Sequence, residues 1–302
     1  MCDRECRCHG TAVDVMIFEK MKLLKTSIFA LLLLLLVADA TAWAGSAPQS
    51  SKMENRVKVS LETSLGTVVV ALYNETPQHR DNFIKLVKEN FYEGVLFHRV
   101  IKNFMVQCGD PESKTAGPDA RLGAGDVGYT IPAEFVYPKF YHKRGALAAA
   151  RTGDQFNPER RSSGCQFYIV TGRSYTATDL ATLENRLGEQ MKQNLFNALV
   201  RENMDSIKQL QQAGNMEALG ELETELIAQT ETQYATNPFQ LTEAQRRDYT
   251  TVGGTPHLDG QYTVFGEVLE GMDVIEQIQN SPTSASDRPV TDIKIVKAQI
   301  IE

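Results

Sequence analysis

The sequence is poor in the residue types and motifs that several function classes require. It has one tryptophan and five histidines in 302 residues; His79, His142 and His257 share no metal-ligand spacing. It contains no Walker, H-E-x-x-H or G-x-G-x-x-G motif and no nucleophile elbow. The net charge is -7, and no basic tract stands out. We therefore expect no metal, no cofactor and no nucleic-acid partner.

Long hydrophobic runs are also scarce, apart from SIFALLLLLLVA at residues 27–38. This run is shorter than the roughly 20 residues needed to span a bilayer as a helix. Lys22 and Lys25 precede it, and alanines at alternate positions follow it. This order is typical of a secretory signal peptide. A buried helix and an uncleaved signal anchor are the alternatives.

We expect a leader at residues 1–44, with the signal peptide at about 21–44 and a translation start at Met21 or Met16. The protein would then be exported, periplasmic or secreted, with no membrane span after cleavage. Removing the leader leaves two of the five cysteines, Cys108 and Cys165. An oxidising compartment permits a disulfide between them, and two inert buried thiols fit equally well.

The remaining chain combines strand patterns with few helices. Residues 45–55 are small and polar, which indicates a linker. Residues 57–63 and 67–73 alternate around a turn and predict a β-hairpin. Thr76 and Pro77 then begin a helix, and a second helix is predicted at 272–278. Many short strands joined by Gly- and Pro-rich loops favour a barrel or a sandwich.

Residues 178–250 have a different pattern. Leucine, isoleucine and methionine recur there at spacings of three and four, with an interruption at Gly214. Thr242 and Gln245 have the spacing of a capping box, which predicts a third short helix. We interpret this segment as an α-helical hairpin inserted into a β framework formed by 56–177 and 251–302.

Residues 97–110, FHRVIKNFMVQCGD, carry the densest chemical signal. This run resembles the signature of the cyclophilin family of peptidyl-prolyl cis-trans isomerases. Matches follow in the family's order at IPAEF (131–135), GALA (145–148), SGCQFYI (163–169) and LDGQYTVFG (258–266). The resemblance covers about 57–175 and 255–302. It implies a mainly β fold, a closed eight-stranded antiparallel barrel capped by two helices, here with the inserted hairpin.

The resemblance also implies roles for individual residues. Arg99 matches the catalytic arginine, and Gln107 and Gln166 match polar groups that hold the substrate backbone or position that arginine. Matches to the walls of the proline pocket are Phe104, Met105, Tyr168 and Leu258. Ala150 matches a position where the peptide lies against a strand. We interpret His98, inside the signature, as a structural, hydrogen-bonded residue.

Several substrate-binding positions depart from the better-known eukaryotic pattern. Arg151 stands where asparagine is typical, and Tyr168 replaces a phenylalanine at the pocket floor. Tyr262 takes the place of a histidine, as in many bacterial members. His257 takes the place of the tryptophan associated with cyclosporin binding, which argues against strong drug sensitivity.

The expected function is acceleration of X-Pro rotation in exported proteins during folding, with proline-containing polypeptides as substrates. The alternative is a proline-peptide binding module or chaperone with little turnover. For the insertion at 178–250, one interpretation is a solvated hairpin packed on itself or on the barrel edge. The other is an arm that binds clients or a partner beside the active site.

Overall fold

The computed structural model describes residues 55–301. The predicted leader at 1–44 and most of the predicted linker at 45–55 lie outside the described residues. No helix within residues 55–301 combines the length and apolar character that a membrane span needs.

Ten strands form the β framework. They are β1 (Lys58–Thr63), β2 (Gly66–Leu72), β3 (Arg99–Ile101), β4 (Met105–Cys108), β5 (Thr130–Ile131), β6 (Ala146–Ala149), β7 (Ser162–Ser163), β8 (Phe167–Val170), β9 (Val264–Glu270) and β10 (Ile295–Ile301). Eight form one antiparallel sheet in the order β10-β1-β2-β9-β6-β8-β4-β3, while β5 pairs with β7. The predicted hairpin at 57–63 and 67–73 is confirmed as β1 and β2, with the register Val59 opposite Val70.

The sheet is open in its strand order, so the predicted closed barrel is not confirmed. In the described part of the chain, β3 and β10 form no ladder with each other. The residues just before them do meet. A single bridge joins Leu96 to Lys294, and the Phe97 amide donates to the Ile293 carbonyl at 2.8 Å. The sheet therefore curves until its edges touch, without continuous pairing between them.

Two helices pack on the inner face of the sheet. They are α1 (Pro77–Lys88) and, near the C terminus, the helix Met272–Gln279. Phe83, Leu86 and Val87 of α1 are buried at three-to-four spacing, which is the pattern that places one helix face in a core. The ring of Phe83 meets that of Phe167 edge-on at 5.3 Å.

Four helices occupy the segment predicted as a helical hairpin. They are α2 (Ala177–Glu202), α3 (Met204–Ala213), α4 (Met216–Thr236) and α5 (Glu243–Thr251), so the Met272–Gln279 helix is α6. Gly214 ends α3 with φ of 63°, a conformation that glycine adopts without strain. The capping box of Thr242 and Gln245 is confirmed at the start of α5. Because of these helices, "mainly β" suits the framework but not the whole described range, where helical residues outnumber strand residues.

The insertion packs on the framework through a small apolar cluster of its own. Leu180, Leu183 and Leu187 of α2 are buried against Tyr249 of α5, with Tyr141 of the framework beside them. Hydrogen bonds reinforce this contact, since the Tyr141 hydroxyl donates to Asp248 of α5 at 2.6 Å.

The sheet separates a main core from a second apolar cluster on its other face. Side chains alternate between the faces of a strand. Val106, Phe167 and Ile169 therefore point into the main core, while Met105 and Tyr168 join the second cluster. This alternation positions the candidate site.

Candidate active site

Strand register brings the signature residues together. Arg99 on β3 lies opposite Gln107 on β4, and Gln107 lies opposite Tyr168 on β8. The turn between β3 and β4 contains Asn103 at φ of 59°, a left-handed conformation that asparagine tolerates better than most residues. The short β3–β4 hairpin therefore holds the arginine and the glutamine side by side.

Nine of the eleven predicted site residues line one cavity of about 90 Å³. These residues are Arg99, Phe104, Met105, Gln107, Ala150, Arg151, Tyr168, Leu258 and Tyr262. The cavity is small and partly apolar, with two guanidinium groups and one side-chain amide on its walls. The structure does not place Gln166 or His257 among the lining residues.

Gln166 lies behind the wall, where it holds Gln107. The Gln107 amide donates to Gln166 Oε1 at 2.9 Å. The Gln166 amide donates in turn to the carbonyls of Gly123 and Gly125, at 3.0 and 2.8 Å. Every polar atom of this buried side chain is thus engaged, so Gln166 can orient Gln107 without touching a ligand.

His257 also stands one layer back. It belongs to a short 3-10 helix, Pro256–Leu258, and its ring stacks on that of Phe104 at 5.6 Å with 25° between the planes. Burial lowers the pKa of His257, and the nearby His142 and Arg186 act in the same direction. The imidazole therefore supports the pocket wall as a neutral aromatic ring.

The two arginines of the cavity are held differently. Arg99 is 44% exposed, and the nearest acidic atom, Oδ2 of Asp287, is 3.9 Å from its Nε. Arg151 is 3% exposed and firmly bound: it donates to the Gln261 carbonyl at 2.9 Å and to Asp154 at 2.6 Å. Its guanidinium also lies 4.4 Å from the centre of the Tyr262 ring. Arg99 is consequently the arginine that can reach a ligand.

Ala150 contributes its side chain, and not its backbone polar groups, to the wall of the cavity. Its amide donates to the Gln166 carbonyl at 3.0 Å, and its carbonyl accepts from the Ser163 amide at 2.8 Å. Both backbone groups are therefore paired inside the protein. The methyl group, in the second apolar cluster, adds to the cavity wall.

The Tyr168 hydroxyl, which replaces a plain phenyl group at the floor, has a partner. It donates to Nε2 of His142 at 2.9 Å, and Nδ1 of His142 donates to Oδ1 of Asp259 at 3.0 Å. The backbone amide of His142 donates to the same carboxylate oxygen. Burial raises the pKa of Tyr168 well above its usual value, so the hydroxyl stays protonated.

This chain of hydrogen bonds continues into the insertion. The second carboxylate oxygen of Asp259 accepts from the Tyr249 hydroxyl at 2.6 Å and from the Gln245 amide at 3.2 Å. Both donors belong to α5. Roles for His142, Asp259 and these donors were not predicted from the sequence. The signal that could have identified Asp259 is its position directly after Leu258 in a matched run.

Two expectations near the site have separate outcomes. Cys108 and Cys165 are separate buried thiols, and burial raises the pKa of Cys165 to about 11. The expectation that His98 is hydrogen-bonded is not confirmed, because neither ring nitrogen has a partner at hydrogen-bonding geometry among residues 55–301. His98 fills space beside Gly123 instead.

The sequence matches a family model over most of its length. The model described as cyclophilin type peptidyl-prolyl cis-trans isomerase/CLD matches residues 58–233 and 243–300. This match covers well over half of the chain, including every residue of the cavity.

Curated relatives agree with this match. A Staphylococcus epidermidis protein named as a peptidyl-prolyl cis-trans isomerase is 31% identical over 258 residues, covering 84% of this chain and 98% of its own. A Staphylococcus haemolyticus protein with the same name is 30% identical over 251 residues, covering 82% and 94%.

A solved structure is also similar. The crystal structure of a cyclophilin type peptidyl-prolyl cis-trans isomerase from Cryptosporidium parvum aligns with 82% of this chain and 98% of its own. Its identity is 19% and its TM-score is 0.47. The family assignment rests on the sequence comparisons, which agree with each other over most of the chain. This chain belongs to the cyclophilin-type peptidyl-prolyl cis-trans isomerase family.

Proposed function

We propose that this protein accelerates X-Pro rotation in exported polypeptides as they fold, with Arg99 stabilising the twisted amide. The observation that carries the proposal is the half-exposed guanidinium of Arg99 on the wall of a small cavity that also contains Phe104 and Met105. A cation beside an apolar cup suits a proline ring whose preceding amide must rotate.

The chemistry requires no bond to break. The barrier to amide rotation is about 18–20 kcal/mol, because rotation removes the amide resonance. At the twisted geometry the nitrogen regains a localised lone pair, which can accept a hydrogen bond. A guanidinium N–H aimed at that nitrogen therefore binds the twisted state more strongly than either planar state, which lowers the barrier.

The other cavity residues hold the substrate while the carbonyl moves. Phe104, Met105, Tyr168 and Leu258 supply apolar contacts to the proline ring. Gln107, held by Gln166, offers an amide that can hold the substrate backbone. Because Arg151 is already bound to Gln261 and Asp154, its role is to shape the wall beside Tyr262.

The N-terminal sequence supports the cellular context of the proposal. Lys22 and Lys25, the apolar run at 27–38 and the alternating alanines match the order of a secretory signal. Substrates in that context would be polypeptides that have been exported and are still folding.

A binding module with little turnover is the second candidate. The observation that favours it is the small volume of the cavity, about 90 Å³, with the firmly held Arg151 on its wall. A tight cavity can hold one proline isomer and resist rotation.

One experiment separates the two candidates. Exchange NMR on a short X-Pro peptide measures cis-trans interconversion with and without the purified protein. The proposal predicts exchange cross-peaks on a sub-second timescale, whereas the uncatalysed process takes tens of seconds or longer. Peptide binding without faster exchange would establish the binding module and contradict the enzyme proposal.

A further inference from the structure

A larger concave surface lies beside the pocket, between the inserted helices and the framework loops. It consists of two cavities, of about 600 and 810 Å³. Both are lined by Arg160, Met191, Asn194 and Asn237, so they form one continuous depression. We call this surface the insert groove. Its walls come from α2, the end of α4 and the segment after it, and the loops near Asp154 and Gly260.

The insert groove shares a wall with the proline pocket. Arg151 lines the pocket and bonds to Gln261 and Asp154, which both line the groove. Leu258 lines the pocket, and the next residue, Asp259, lines the groove. The pocket and the groove are thus neighbours on either side of this wall, and an extended polypeptide that crosses the wall reaches the groove.

Side-chain amides dominate the polar surface of the groove. Gln190, Asn194, Asn237 and Gln240 are exposed, and their side chains make no hydrogen bond with any other described residue. A carboxamide both donates and accepts. It therefore complements the amide and carbonyl groups of an extended polypeptide whatever the sequence of that polypeptide.

The charges and apolar groups of the groove fit the same kind of ligand. The carboxylate of Asp154 is bound by Arg151 and Arg160, which offsets the charge at the pocket end. Met191 is 41% exposed and lines both cavities. An unbranched thioether adapts to side chains of different shapes. Arg201 and Asp259 are the other charged residues that line the groove, which makes two acidic and two basic residues in all. The groove therefore has no excess of one charge sign that would select a strongly charged sequence.

We propose that the insert groove binds the extended segment that flanks the target proline in an unfolded polypeptide, chiefly through its main chain. The proposal rests on the proposed function for what the neighbouring pocket binds. The position of the groove directly beside the pocket favours this occupant over a second copy of the chain. The insertion would then increase affinity for long, unfolded substrates without changing the chemistry at Arg99.

The test compares peptide lengths in a binding measurement. One probe is a tetrapeptide with a central X-Pro bond. The second is a labelled peptide of about 12 residues around the same bond, which spans roughly 40 Å when extended. A third replaces the proline of the long peptide with alanine. All three peptides carry the same fluorescent label. Fluorescence anisotropy then gives the dissociation constant of each peptide for the full protein, independently of turnover.

The variant is Gln190→Ala with Asn194→Ala, and the matched control is Asn185→Ala with Gln209→Ala. The control removes the same two residue types from exposed helical positions, in α2 and α3, that do not line the groove. Circular dichroism melting of both variants verifies that each is folded.

We expect the groove variant to bind both long peptides about fivefold more weakly, since each lost hydrogen bond contributes modestly. Tetrapeptide binding and the control variant should match the wild type. Equal weakening of short and long peptides, no weakening at all, or a change in sedimentation instead of peptide affinity would overturn the groove proposal. A wild-type protein without isomerase activity would contradict the proposed function. The binding comparison would still test the groove in that case.

Discussion

The hydroxyl of Tyr168 lies 2.9 Å from Nε2 of His142, and this contact connects the pocket floor to the inserted helices. His142 bonds to Asp259, whose other oxygen accepts from Tyr249 of α5 at 2.6 Å. The side chains of all four residues are buried, so each depends on its neighbour to satisfy its hydrogen bonds. The insertion is therefore linked to the pocket by a continuous buried network.

This network predicts energetic coupling between Tyr168 and Tyr249. Tyr168→Phe leaves a nitrogen of His142 without its donor, and should lower the free energy of unfolding by about 1–3 kcal/mol. When Tyr249→Phe is combined with it, we expect the two losses to differ from additivity by about 0.5–2 kcal/mol, as for residues of one network. Urea unfolding of the wild type, both single variants and the double variant gives this value.

Tyr141→Phe is the matched control for Tyr249→Phe. Its hydroxyl also donates to a carboxylate of α5, that of Asp248 at 2.6 Å, but outside the Tyr168 network. Its effect should add to that of Tyr168→Phe. The two pairs to compare are Tyr168→Phe with Tyr249→Phe and Tyr168→Phe with Tyr141→Phe. Equal coupling energies in both pairs, or additive effects in both, would show that the network does not link the pocket to the insertion.

Gln166→Leu should reduce turnover although Gln166 does not line the cavity. The change removes the acceptor for the Gln107 amide and the donors to Gly123 and Gly125. Because misplacing a group near the reacting bond is costly, we expect kcat to fall about tenfold or more, with a smaller change in KM. Exchange NMR over a range of peptide concentrations separates the two constants.

The control for this change is Gln155→Leu, at an exposed position outside the cavity. It should leave both constants unchanged. A Gln166→Leu variant with wild-type kcat would show that turnover does not require the hydrogen bond from Gln107 to Gln166.

The buried side chain of His98 should make the free energy of unfolding depend on pH. Burial lowers the pKa of His98, and the charges of Arg99 and Arg288 act in the same direction, whereas the charge of Asp110 and the backbone of Leu96 oppose them. Below the unfolded pKa of about 6.5, the unfolded chain therefore binds more protons than the folded one, and stability falls as the pH decreases. Burial also lowers the pKa values of His79 and His257, so they contribute with the same sign.

His98→Leu should weaken this dependence. Since neither ring nitrogen has a partner in residues 55–301, the variant should lose little stability at neutral pH. Urea midpoints measured on both sides of about pH 6.5 test the expectation. An equally steep decrease in wild type and variant would assign the acid sensitivity to other groups.

Local features of the fold were predictable from the sequence, and long-range closure was not. The β1–β2 hairpin and the Thr242–Gln245 capping box depend on residues a few positions apart, so spacing alone identifies them. Closure of the barrel depends on whether β3 pairs with β10, at opposite ends of the framework. Local periodicity says nothing about such pairing. Similarly, Asn203 and Gly214 divide the predicted hairpin into more helices than two.

The site shows the same division. The family resemblance predicted nine residues that line one cavity, because strand register converts sequence spacing into neighbouring side chains. The contact between His142 and Asp259 joins positions 117 residues apart. Tyr249 lies in the insertion, away from the quoted motifs. The unpartnered ring of His98 also depends on its surroundings in space, which no local pattern describes.

Arg99→Ala tests the central claim most directly. In exchange NMR with a short X-Pro peptide, we expect the catalysed rate to fall at least about a hundredfold, because a donor aimed at the transition state is lost. Peptide binding should change little, and Arg121→Ala, an exposed arginine outside the cavity, should retain the wild-type rate. An Arg99→Ala variant that still catalyses exchange at the wild-type rate would contradict the account.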